Sequence, residues 1–267
     1  MKTLNLIFVC AVSILLTSCL RRAYFLNPFH GNNQPYRTTP MVSDSSHNGT
    51  YVSGSISAGG ANDQLADGVF TFQGSFYQAH TFRNFQLYYG VTGTLGNYHI
   101  NTDHHYDDLP NSNYLNTIDG DKFFGGAGGI GGFSFVLPFE NGNEWRVLGL
   151  EGNVQKEFGD YQDIRFAIPD SSAHAVDRND LHGSIAFSTN FIKKFRKSGN
   201  AFGYKLAYVT STNPVREDRY GLRRHSLRPG FISNTFHLTA KRITGFAQFN
   251  FGNYVANMQV GMNYRLF

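Results

Sequence analysis

Asp103-His104-His105-Tyr106-Asp107-Asp108 crowds imidazoles and carboxylates together, a donor set able to hold a divalent ion. Adjacent side chains on an extended segment point to opposite sides, so the spacing predicts a solvated loop and no preformed metal site. Groups suited to nucleophilic chemistry occur as His182 and Ser184, with His99 elsewhere in the chain. No Gly-x-Ser-x-Gly elbow accompanies them, and no catalytic residue is assigned. The run from Gly125 to Gly132 is not followed by the Lys-Ser/Thr of a phosphate-cradling loop. Phe133, Phe135 and Leu137 instead continue an alternating strand, in which glycines permit sharp bending or close approach of a neighbour. Arg216, Arg219, Arg223, Arg224 and Arg228 make one further stretch basic and able to grip an anion, tempered by Glu217 and Asp218. No cofactor is expected.

The elements that carry these residues are strands. Twenty-five Phe, 15 Tyr and 29 Gly occur among 267 residues whose mean hydropathy is still negative, at −0.32. Strict alternation explains both facts: Phe70, Phe72, Gly74 and Phe76 oppose Thr71, Gln73 and Ser75, and Ala247, Phe249 and Phe251 oppose Gln248 and Asn250. The last segment is the most regular, with Ala256, Met258, Val260, Met262, Tyr264 and Leu266 against Asn257, Gln259, Asn263 and Arg265. Aromatic-rich strands with one polar face predict a transmembrane antiparallel up-and-down β-barrel, lipid outside and a polar interior within. Glu151, Glu157, Lys205 and Arg265 fall on the polar faces, where pairing inside the lumen is expected. Short turns at 81–84, 140–144 and 196–200 alternate with long polar stretches at 101–121, 160–181 and 213–230. That rhythm matches periplasmic turns and external loops, and gives about ten strands with both termini periplasmic, or eight if 232–251 is one long strand. The small formal charge of +4, spread along the chain, excludes a nucleic-acid binder.

Lys2, the apolar run Leu4 to Leu16, and Thr17-Ser18 before Cys19 have the layout of a cleaved secretory signal. Leu16-Thr17-Ser18-Cys19 resembles the lipobox of bacterial lipoproteins, which implies acylation of Cys19. Cys10 would leave with the signal, so no disulfide is expected. Pro28, Pro35, Pro40 and the polar 43–49 stretch make the next segment loop-like. Composition favours a tether there, with a plug inside the barrel as the alternative. The expected organisation is therefore 1–18 signal peptide, 19–50 lipid-anchored tether or plug, and 51–267 barrel.

The ending Tyr264-Arg265-Leu266-Phe267, with a terminal aromatic, resembles the C-terminal signature that the barrel-insertion machinery reads in outer-membrane proteins. Together with the lipobox and the proline spacer, it makes the chain similar to the lipid-anchored outer-membrane β-barrel lipoproteins of Bacteroidetes. The basic Leu20-Arg21-Arg22 departs from the acidic residues that follow the cysteine in surface-exported members, so the anchor is expected on the periplasmic side. The resemblance implies a non-enzymatic structural or accessory part of the cell envelope. Its surroundings would be outer-membrane lipids and lipopolysaccharide, with loops contacting a protein partner or envelope polymer. Three alternatives stay open: a lipid-modifying barrel enzyme using His99 or His182 with Ser184, a narrow channel, and a lipocalin-like tethered binder. The last requires Phe70, Phe72, Phe249 and Phe251 to face inward.

Overall fold

The computed structural model describes residues 23–62, 65–101, 114, 116–219 and 223–267. Ten long strands close into one antiparallel barrel: β2 (Asn48–Ala61), β3 (Asp67–Thr81), β4 (Phe85–Ile100), β5 (Gly120–Pro138), β6 (Glu144–Phe158), β8 (Leu181–Lys194), β9 (Ala201–Ser211), β12 (Gly230–Ala240), β13 (Ile243–Gly252) and β14 (Val255–Arg265). Each pairs with the next in sequence, and β14 pairs with β2 to complete the ring. The eight-strand alternative fails at Lys241, whose φ of 55° breaks the 232–251 stretch into a hairpin. Elsewhere the turns use the expected glycines, with Gly142 at φ 84° and Gly199 at φ 70°.

The alternation resolves into an apolar outside and a polar inside. Phe72 is 57% exposed, Phe251 56% and Val91 61%, whereas Thr71, Gln248, Asn250 and Gln259 are buried. Phe70 and Phe72 point out and Phe249 shares the outward face of Phe251, so the lipocalin-like reading is overturned. Outward aromatics gather near both strand ends: Phe82, Phe139, Trp145 and Phe195 at one, Phe123, Phe158, Tyr208 and Phe251 at the other. This polarity and these two girdles are those of a transmembrane barrel. Among the described residues no helix is long and apolar enough to cross a membrane.

The two ends of the barrel differ. Residues 82–84, 139–143, 195–200 and 241–242 form short turns at one end, beside the C-terminus. The connections from β4 to β5, from β6 to β8 and from β9 to β12 leave the barrel at the other. There a four-stranded sheet forms a cap from β1 (Tyr24–Phe25), β7 (Ala175–Val176), β10 (Val215–Arg219) and β11 (Arg223–Leu227). Helix α1 (Asp160–Ala167) joins it, with Tyr161 and Arg165 buried beneath. Segment 23–47 then descends from this cap through the lumen to the short-turn end, where it enters β2. The N-terminal end of the described chain therefore sits opposite the C-terminus, not beside it.

Candidate functional site

Three tiers of contact hold residues 23–42, first in the cap and then within the lumen. In the uppermost, β1 runs parallel to β7, and the Tyr24 amide donates to Asn62 Oδ1 at 2.8 Å. Tyr161 donates its hydroxyl to the Leu26 carbonyl at 3.0 Å. Burial pushes the Tyr161 pKa well above its ordinary value, so the group remains a donor. Asn27 donates to Glu157 at 2.7 Å, and Glu157 is paired with the fully buried Arg165 of α1. Phe29 meets Phe124 edge-on at 5.8 Å between centroids. Beneath the Phe29 ring lies Gly126, where a Cβ would come within 2.2 Å. A glycine is required at this point because a backbone wall and an aromatic ring meet there.

In the middle tier the wall supplies the hydrogen bonds that the segment's own backbone lacks. Asn250 and Asn257 both donate to the Gly31 carbonyl, at 2.7 and 2.8 Å. Gln248 donates to the Gln34 carbonyl at 3.0 Å, Gln259 to that of Asn32 at 3.4 Å and Asn263 to that of Tyr36 at 3.3 Å. Traffic also runs outward from the segment: Asn33 and Gln34 donate to Ser184 Oγ at 2.8 and 3.1 Å. Lys205 is paired with Glu151, which also accepts from Tyr88 at 2.9 Å and Ser188 at 3.0 Å. Tyr36 stacks on His237 at 4.2 Å.

The lowest tier continues the pattern. Tyr77 donates to the Thr38 carbonyl at 3.0 Å, and Thr81 and Gln86 both donate to that of Pro40, at 2.7 and 2.9 Å. Arg146 reaches the Thr39 carbonyl at 3.3 Å and pairs with Glu144 at 2.7 Å, while Glu144 accepts from the Val42 amide at 3.0 Å. A buried carbonyl left unmet is costly, and side-chain amides answer this need because each both donates and accepts. Free space is reduced to cavities such as one of about 90 Å³ beside Tyr36 and Arg146, and one of about 10 Å³ beside Asn27 and His30.

Of the residues singled out by sequence, Glu151, Glu157 and Lys205 are paired within the lumen. Arg265 lies instead at the rim, where it donates to the Ser46 and Asn48 carbonyls at 3.2 and 2.6 Å. His182 and Ser184 are both buried on the inner face, against the luminal segment. His99 stands on the outer rim with Asp121 at 2.9 Å, so the three are not brought together. Arg216, Arg219, Arg223 and Arg224 lie on the β10–β11 hairpin, where Arg219 is opposite Arg223 and Arg224 opposite Asp218. Arg228 follows that hairpin and is exposed. Tyr264 points outward near the short-turn end, and Phe267 is 83% exposed. Cys19 and residues 103–108 lie outside the described residues, and no metal-binding cluster occurs among those described. Sequence reading missed the luminal role of Asn33, Gln34, Arg37 and Arg165. The signal for it was present in the amide-rich inner faces of β13 and β14, which suit a polypeptide backbone better than they suit bulk water.

No protein-family model matches the chain, and no curated protein does. Among solved structures, the transport unit of the autotransporter AIDA-I from Escherichia coli is similar at 11% identity, covering 86% of this chain and 93% of that one, with a TM-score of 0.39. An outer membrane channel from Pseudomonas putida F1 is similar at 8% identity over 88% and 98% of the two chains, with a TM-score of 0.38. The translocator domain of the autotransporter NalP from Neisseria meningitidis is similar at 9% identity over 84% and 90%, with a TM-score of 0.35.

Proposed function

We propose that this chain is a sealed, non-enzymatic outer-membrane barrel, anchored by lipid on Cys19, that serves the envelope as a structural or accessory component. One observation carries the reading: an apolar outer belt surrounds a lumen occupied by the chain's own buried segment, which runs from the cap at Ala23 to Met41. The belt supports residence in a bilayer, and the filled lumen argues against a diffusion pore. Ser184, the nominal nucleophile, is already engaged by Asn33 and Gln34, which favours the non-enzymatic reading over a lipid-modifying enzyme. The long-loop cap is left as the surface for partners. Its β10–β11 hairpin carries the arginines that would meet lipopolysaccharide phosphates or an anionic envelope polymer.

The test is a gentle-detergent purification of the full chain, tagged within 160–181, from membranes of cells fed radiolabelled palmitate. Label on the native chain and none on Cys19→Ser, with a stoichiometric envelope partner retained, is the expected result. An unlabelled chain that purifies alone and alters the acyl chains of envelope lipids would overturn the reading.

A further inference from the structure

The direction of the luminal segment has a topological consequence. Residue 47 enters β2 at the short-turn end, whereas Ala23 is held at the long-loop end: His174 donates its amide to the Ala23 carbonyl at 2.9 Å, and β1 is built into the cap beside β7. Between these points the chain crosses the whole barrel, met by side chains of the wall in all three tiers.

We propose that the barrel carries its own amino-terminal end from the short-turn side to the long-loop side, so that whatever precedes Ala23 is displayed on the outer surface of the cell. The inference rests on the membrane reading above, in which long loops face outward. Reach decides the case. Only Leu20, Arg21 and Arg22 lie between Cys19 and Ala23, and the four steps between them, at ~3.3–3.6 Å each, extend no more than ~14 Å. An apolar band about 25 Å tall cannot be recrossed in that length, least of all through an occupied lumen. Acyl chains on Cys19 would therefore enter the outer leaflet from the external side, opposite to the periplasmic placement that Leu20-Arg21-Arg22 suggests.

The experiment places one epitope in each of three full-length chains: between residues 22 and 23, within the 159–180 segment, and within the 195–200 turn. Antibody binding is then compared on intact and permeabilised cells. The amino-terminal tag should match the 159–180 tag, both being reached on intact cells, with the turn tag reached only after permeabilisation. An amino-terminal tag that matches the turn tag overturns the threading. If the two reference tags behave alike, the membrane reading fails; if they exchange sides, the orientation fails while the threading is still judged by which tag the amino terminus follows. Should the tag at 22–23 prevent folding, trypsin added to intact cells bearing the native chain gives the same information. Cleavage after Arg21 or Arg22 without permeabilisation is expected, and protection of both sites on intact cells overturns the proposal.

Discussion

Removing the Glu151 carboxylate would strand Lys205 in the lumen, with the Arg37 guanidinium nearby. A broken buried pair costs about 3–5 kcal/mol, chiefly because the remaining charge keeps its desolvation penalty. Glu151→Ala is therefore expected to lower the urea midpoint of the folded barrel in detergent, followed through Trp145 fluorescence. The double variant Glu151→Leu/Lys205→Met should recover much of the loss; a double variant as weak as the single one would mean that packing matters here and charge does not. Gly126→Ala offers a contrasting case, since its new methyl group would collide with the Phe29 ring. Overpacking costs about 1–3 kcal/mol. Gly54→Ala, with nothing within 4 Å of its Cβ position, should change stability by less than about 0.5 kcal/mol. Equal effects in the same unfolding assay would contradict the fit of the segment against the wall. At this scale sequence reading reached the pairing of Glu151 and Glu157, because charge on a polar face needs a partner. It did not reach Arg165, only eight residues from Glu157, because no local period shows that α1 folds back onto the strand end, nor Arg37, which lies in a segment without any strand period.

The elements themselves were largely legible in the chain. Period-two alternation and turn residues such as Gly142 and Gly199 mark where strands run and stop, because both signals are local. The small cap strands were not legible: β1 and β7 have two residues each, too few to show any period. The luminal segment was also obscure, since prolines and amides suit a solvated tether as well as a packed plug. The C-terminal element carries its own prediction. The Thr50 amide donates to the Phe267 carbonyl at 3.4 Å and the Leu266 amide to the Thr50 carbonyl at 2.8 Å, so the terminus helps close the ring while its aromatic ring stays exposed. Substituting Phe267→Ala should reduce the amount of folded chain in the outer membrane several-fold and leave the unfolding midpoint of what does assemble within about 0.5 kcal/mol. A shifted midpoint with normal assembly would assign the ring to stability instead of insertion.

For the whole molecule, width explains the plug. Eight strands leave an interior just wide enough for side chains to fill, and ten leave room for more. Here the extra room is lined by small inward residues such as Ser53, Ser55, Ser57, Thr71 and Thr92, and a second layer of chain occupies it. Deleting residues 23–41 should convert a silent barrel into a conducting one in planar bilayers, whereas the full chain should pass no steady current. A silent deletion variant, shown to be folded by its resistance to denaturation by detergent, would mean that the wall collapses inward without its filling.

The ring closed by β14 and β2 encircles a segment of the same polypeptide. That arrangement has a mechanical meaning. A load applied to the amino-terminal end along the barrel axis would meet the wall first through the three tiers of hydrogen bonds and then, covalently, at Asn48, the first residue of β2. Because the segment doubles back inside β2, such a load would lift Asn48 over its own strand and open the pairs of β2 with β3 and β14 one after another, but only after the tiers above had given way. The molecule is built like a toggle on a cord, with the ring and the segment it encircles held to each other by both covalent and hydrogen-bonded links.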